Sequence, residues 1–421
     1  MSLGAFRVRS YRFQWSADLL TSWASEMETI ILGWYVLTST GSVLLLTVFG
    51  SLQFLGTLVA PLFGVLGDRL GARTMLCAMR AIYVGLAAGM TGLALAGAMT
   101  PGWVFALATL TGLVRPNDLI MRNSLIGQTI GPVDLMGALG MSRATMDSAR
   151  VAGALVGAAL STALGVPATY AFVVIFYAVS LALTFGIAQR PPAPDPSASP
   201  RRAVAGPSGW RDLKEGLVHV WTTPEVLAMM LLAFLINLTA YPASGGLLPY
   251  VAQRIYHVDA TGLGFLVASF SFGGLLASLG MVFTGGPRHP ERATLVCTAI
   301  WYVMVFGFGH VTSTGVGSLT LMVAGFVQNV AMIAMTAVLL AAAGDRFRGR
   351  VMGVRMLAVY GLPLGLLGSG FLIARIGYPL TITASAALGL AFTILIGVRW
   401  RASMWRRRRR PTAAPSVPQR V

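Results

Sequence analysis

The sequence predicts an all-α membrane protein of twelve transmembrane helices arranged as two six-helix bundles. Three observations predict it. Apolar runs of about 20 residues, the length that crosses a bilayer, recur along the whole chain. Of 421 residues, 56% are hydrophobic and 11% charged, with a mean hydropathy of +0.73. Soluble domains carry about a quarter charged residues, so a soluble globule is excluded. The arginines sit almost wholly in alternate loops, and the two halves of the chain echo each other.

The spans fall at 14–38, 42–66, 74–98, 102–128, 135–163, 166–189, 224–248, 260–284, 293–312, 316–343, 350–373 and 378–400. One set of loops carries Arg7, Arg9 and Arg12, then Arg69 and Arg73, Arg190 to Lys214, Arg288 and Arg292, Arg346 to Arg350, and the tail from Arg399 to Arg410. The opposite loops carry Arg254 and Arg375. Positive charge is retained in the cytoplasm, so both termini and the loop after the second span are expected there. The start of the chain does not read as a cleavable signal, because Asp18, Glu26 and Glu28 interrupt the segment after its basic residues.

Residues 1–189 form the first predicted bundle. Residues 190–222 are a cytoplasmic linker, Pro-, Ala- and Ser-rich at first. It closes on an amphipathic helix, Trp210 to Trp221, with Leu213, Leu217, Val220 and Trp221 on the face expected to meet lipid. Thr223-Pro224-Glu225 reads as a helix start with a hydroxyl cap. Residues 223–404 form the second bundle, and 405–421 a basic cytoplasmic tail. Leu164-Gly165-Val166-Pro167 is echoed by Ile376-Gly377-Tyr378-Pro379, and the Arg73 to Cys77 stretch by Arg292 to Cys297. Such echoes indicate parallel repeats. Cys77 and Cys297 sit in apolar runs and read as small core residues, not as a disulfide or a metal pair.

Ionisable groups inside spans are costly and are functional candidates by default. On the first span, Asp18, Ser22, Ser25 and Thr29 share a narrow helical face, flanked by Glu26 and Glu28. Glu26 and Glu28 are candidates to bind a proton or a cationic substrate; Asp18, nearer the mouth, reads as structural. On the fourth span Arg115, Asp118 and Arg122 share one face, and Arg143, Asp147 and Arg150 do so on the fifth. These four guanidiniums and two carboxylates read either as a proton-switched network, with Asp118 or Asp147 as the switch, or as a static ion network. Arg80 on the third span either joins a charge relay or snorkels. The second half offers weaker polar groups toward a substrate path, namely Asn237, Tyr241, Gln328, Asn329 and Tyr360. Tyr241-Pro242 and Gly361-Leu362-Pro363 point to bent helices beside it.

The loop at 64–73 contains Gly64, Asp68, Arg69, Gly71 and Arg73, with Ala72 at a position that is usually basic. It resembles the loop Gly-x-x-x-Asp-Arg-x-Gly-Arg-Arg of the major facilitator superfamily. Arg348-Gly349-Arg350-Val351-Met352-Gly353 and Leu247-Leu248-Pro249 are similar to stretches of that superfamily's bacterial drug and siderophore exporters. The resemblance implies a major facilitator fold with a central cavity and rocker-switch alternating access. It implies that Asp68 latches the first bundle onto the start of the eleventh span, near Gly349 to Arg355, and that a fourth-span arginine, best matched by Arg115, takes part in proton coupling.

The function expected is proton-coupled export of an amphipathic small molecule through a bacterial inner membrane, with no cofactor, by a protein working as a monomer. Two alternatives stand beside it: uptake or exchange of an organic anion by the arginines of the fourth and fifth spans, and a non-transporting sensor or scaffold. The net charge of +17 does not make this a nucleic-acid binder, because it lies in loops and the tail. Arg406 to Arg410 suit anionic lipid headgroups. No phosphate loop, zinc spacing or nucleophile elbow supports an enzyme.

Overall fold

The computed structural model describes residues 3–59, 63, 66, 70–188, 209–284 and 286–401. Among them there is no strand, and most are helical. A short turn of helix at Leu3–Arg7 leads into α1, Arg9–Thr40. Then follow α2 (Val43–Leu52), α3 (Ala72–Leu95), α4 (Pro101–Thr129) and α5 (Pro132–Phe185). The connecting helix α6 is Gly209–Thr222. The second half holds α7 (Pro224–Thr239), α8 (Ala260–Thr284), α9 (Pro290–Phe308), α10 (Thr314–Ala358), α11 (Gly361–Ile376) and α12 (Tyr378–Arg399).

Eight described stretches are long and apolar enough to cross a membrane. Helices α1 and α4, of 32 and 29 residues, have the length but carry the charged groups of the polar site. The second expected span is described only in part.

Two expected spans lie inside α5. Its helical course is broken at Gly165, whose φ of 78° and ψ of 170° reverse the chain. Gly377, between α11 and α12, takes φ 82° and ψ 166°. The two Gly-x-Pro turns seen as sequence echoes are therefore the same backbone turn used twice.

Helix α10 also holds more than one span. Arg355 Nη1 donates to Thr336 Oγ1 at 2.7 Å although the residues are 19 apart. A straight helix would separate them by about 28 Å, so the chain doubles back between them. Bends expected at Tyr241-Pro242 and before Pro363 occur as a wide helical turn over Pro242–Gly246 and a turn at residues 359 and 360.

Two expectations at the linker are corrected. Val220 is buried and, with Leu217, packs on the C-terminal core instead of facing lipid; α6 is held against the protein at these residues, while Trp221 is well exposed. The Thr223 hydroxyl makes no cap bond to α7, although Pro224 and Glu225 do occupy its first turn. The rest of the linker to residue 208 and the tail from 402 lie outside the described residues.

The bundles meet along a seam that is packed toward one end. Ile30, Val43, Ala154 and Ala158 of the first half are buried in the core of the second. Ser51 Oγ donates to the Pro363 carbonyl at 3.1 Å, and Thr261 Oγ1 to Thr162 Oγ1 at 3.1 Å. At Gly264 an added Cβ would meet Ala158 Cβ at 2.7 Å, and at Gly370 it would collide with Thr47, so glycine lets α8 and α11 close on the first bundle. Along α5 the exposure changes with depth. Ala154 and Ala158, nearer Gly165, are buried; the side chains of Arg150 and Arg143, farther from it, are 41% and 58% exposed. The seam thus opens toward the end away from the Gly165 turn.

Candidate functional site

Polar residues on α1 sit at the centre of three linked groups. In the most buried, Asp18 pairs with Arg80 of α3 and lies 3.5 Å from Arg122 Nε of α4. Arg122 also pairs with Asp118 one turn away, and its Nη1 donates to Ser22 Oγ at 2.9 Å and to the Asp18 carbonyl at 3.2 Å. Arg80 donates to Thr184 Oγ1 as well. Arg80 is fully buried, which excludes snorkelling: its charge is carried inside the bundle by Asp18.

The second group centres on Glu28, whose side chain is 4% exposed. It accepts from Arg115 Nη2 at 2.7 Å and from Tyr177 Oη at 3.1 Å. Arg115 Nη1 is satisfied by Thr29 Oγ1 and Gln53 Oε1, each at 2.9 Å.

The third group is looser. Arg143 Nε lies 3.5 Å from Asp147, and Arg150 Nε 3.7 Å from Glu26 Oε1. Glu26 is 29% exposed, far more than Glu28, Asp18, Asp118 or Asp147.

The charges balance. Asp18, Glu26, Glu28, Asp118 and Asp147 face Arg80, Arg115, Arg122, Arg143 and Arg150. The excess of arginine over acid on the fourth and fifth spans is made good by the acids of α1.

A cavity of about 140 Å³ opens between these groups, lined by Ser22, Ser25, Glu26, Tyr83, Asp118 and Met146 among others. Asp118 Oδ1 and Tyr83 Oη are buried and unpartnered by protein. A polar cavity of this size holds water, which supplies such groups with hydrogen bonds. Of the acids on its wall, Asp118 is held by an arginine in a tight pair and Glu26 only distantly.

On the C-terminal side, Tyr241 accepts from Gln328 Nε2 and stands edge-on to Trp301 at 5.0 Å. Asn237 donates back to the Ala233 carbonyl at 2.8 Å; Asn329 donates to Ser278 Oγ at 2.8 Å and to the Gly274 carbonyl. These two amides are occupied in packing α7 and α10. Tyr360 is half-buried at the turn before α11. Cys77 and Cys297 are free thiols.

In the 64–73 loop, Gly64, Asp68 and Arg69 lie outside the described residues, and with them the latch to the eleventh span. Gly71 has φ 83°, which turns the chain into α3. Arg73 donates to the Phe185 carbonyl at 2.8 Å and to that of Thr184, tying the start of α3 to the end of α5.

Sequence reasoning passed over Tyr177, Ser180, Thr184, Tyr83 and Gln53. The signal was present: Tyr177, Ser180 and Thr184 recur at i, i+3 and i+7 in an otherwise apolar span, a polar stripe that has to face protein.

Membrane-length helices around a paired polar core, with a polar cavity inside the first bundle and a seam closed at one end, have the make-up of a membrane transporter. The chain belongs to the Major Facilitator Superfamily, whose family model matches residues 15–362. It is 27% identical over 380 residues to the multidrug efflux pump Tap of Mycolicibacterium fortuitum, covering 87% of this chain and 90% of that protein. Among solved structures it is similar to a bacterial homologue of the human lysosomal transporter Spinster, in an inward-facing and unoccupied conformation (TM-score 0.73, 13% identity, 94% and 99% of the two chains). It is also similar to the nucleoside transporter NupG (TM-score 0.66, 14% identity, 94% and 99%). At these identities the structural likenesses establish the fold. Membership of the superfamily makes the chain a transporter and not an enzyme.

Proposed function

We propose that this protein exports an amphipathic small molecule across a bacterial inner membrane in exchange for protons, by alternating access. Both termini face the cytoplasm, the basic tail lies against anionic headgroups, and a single chain suffices. The observation that carries this reading is Glu26. It is the acid on the cavity wall that combines solvent access with a weak ion pair, 3.7 Å from Arg150. A carboxylate so placed takes either a proton or the cationic or polar end of cargo, and mutual exclusion of two ligands at one group is what exchange requires. Glu28 and Asp118 are held by short arginine contacts and serve to keep the bundle together. Asp147 is buried beside Arg143 and responds to events at that arginine. Kinship with a multidrug efflux pump supports the outward direction.

Uptake of an organic anion through four arginines is disfavoured, because Arg115 and Arg122 are already held by Glu28 and by Asp18 with Asp118. The test is flux in proteoliposomes under an imposed pH gradient. Glu26→Gln is expected to abolish gradient-driven transport while leaving the melting temperature within a few degrees of the parent. Unchanged pH-driven flux in that variant rejects Glu26 as the exchanging group.

A further inference from the structure

Two arginines, Arg254 and Arg375, stand on the loops that otherwise lack positive charge, and they are held differently. Arg375 serves its own helix: it lies in the last turn of α11 and over the Phe371 ring, 5.2 Å from its centre. Arg254 is exposed and lies in a wide helical turn, Val251–Ile255, between α7 and α8. A Cβ added at Gly41, where α1 ends, would meet Arg254 Nη2 at 3.5 Å. Gly41 belongs to the first bundle and Arg254 to the second, so this contact spans the seam at its closed end.

The end of α1 favours a cation. A helix leaves its last carbonyls without internal partners and carries a partial negative charge there. The Gly41 amide takes the Leu37 carbonyl, and the Ser39 and Thr40 hydroxyls donate to the carbonyls of Tyr35 and Val36. The carbonyls of Thr38, Ser39 and Thr40 come after these, and α1 has no basic residue in its last turn. Arg254 brings the charge from across the seam. Its own segment has less need of it, because the Tyr256 and Val258 amides bond the Val251 and Ala252 carbonyls. Asp259, the acid nearest to it in sequence, accepts from the Gly262 amide.

We propose that Arg254 is a latch: its charge, set against the C-terminus of α1, holds the closed end of the seam shut, and the contact is given up when that end opens. This rests on the alternating-access part of the proposed function. It concerns the resting balance between closed and open forms, and is read without cargo or a proton gradient.

The test reads how often the closed end opens. Val43, just past Gly41, is buried in the core of the second bundle, so a thiol at Val43→Cys is shielded until the bundles part. In the full chain with Cys77→Ala and Cys297→Ala, purified in neutral detergent, its rate of reaction with a polar maleimide follows the open fraction. At low salt, Arg254→Gln is expected to raise that rate about two- to fivefold, the worth of a cation at an exposed helix C-terminus. Arg254→Lys should stay close to the parent. In about 1 M salt, where charges are screened beyond about 3 Å, parent and Arg254→Gln should converge. If Arg254→Gln reacts no faster than the parent, or if Arg254→Lys reacts as fast as Arg254→Gln, the proposal fails. Val173→Cys, in the core of the first bundle, is the control. An equal gain there would mean that Arg254→Gln loosens the whole protein, and the latch is rejected. If Val43→Cys stays unreactive in every variant, the closed end does not open; alternating access itself then fails, and the latch with it.

Discussion

At the scale of single residues, the paired arginines divide by burial, and burial sets what each is worth. Arg80 is sealed inside the first bundle against Asp18 and Thr184. Removing one partner of a buried pair leaves the other charge without compensation, a loss of about 3–5 kcal/mol. Arg80→Leu is therefore expected to destabilise the protein severely, read as a large fall in melting temperature or failure to accumulate in the membrane. Arg143 is well exposed and its contact with Asp147 is long, so water screens the guanidinium end of this pair although the carboxylate is buried. Arg143→Leu should lower the melting temperature clearly less than Arg80→Leu. If the two variants lose stability equally, the distinction between structural and cavity arginines is wrong. The candidate acids were legible from the sequence because charge among apolar residues stands out. Their division into locked and accessible members was not, since that depends on partners such as Arg80 and Tyr177 that lie far away in sequence.

At the scale of elements, the reversals at Gly165 and Gly377 make a matched pair. Both combine φ near 80° with ψ near 170°, a region that residues with a Cβ rarely enter. Space is not the obstacle. A Cβ at Gly377 would meet nothing within 4 Å, and one at Gly165 only Pro167 at 3.8 Å. Gly165→Ala and Gly377→Ala should each cost about 1–3 kcal/mol of backbone strain, and by similar amounts. Thermal melts of the two variants in one detergent check this, and a large difference between them would mean that packing dominates at one turn. These turns were readable in advance because glycine and proline punctuate the chain chemically. Helix α6 was less readable: an apolar stripe facing lipid and one packed on another helix have the same sequence, and Val220 turned out to pack on protein. The end of α1 and start of α2 were placed within a few residues, because Gly41 at φ 64° and Ser42, whose hydroxyl accepts from the Leu45 amide, mark them locally.

At the scale of the whole molecule, the question is whether the closed end of the seam must open. Thr162 and Thr261 approach across it, with hydroxyl oxygens 3.1 Å apart, one on each bundle. Nearby, Gly264 admits the α5 backbone so closely that the bundles cannot slide there without separating. If transport proceeds by rocking, this contact breaks once in every cycle. Replacing both threonines by cysteine places two thiols where a disulfide can form in the state described here. Oxidation of Thr162→Cys/Thr261→Cys is then expected to stop flux almost completely, and reductant to restore it. Each single variant under the same oxidant controls for the native Cys77 and Cys297, which are half-buried and free. Release of the block by reductant ties it to the tether and not to damage. Continued transport by fully crosslinked protein would mean that this end never opens, and cargo would have to leave by a route other than the seam between the bundles.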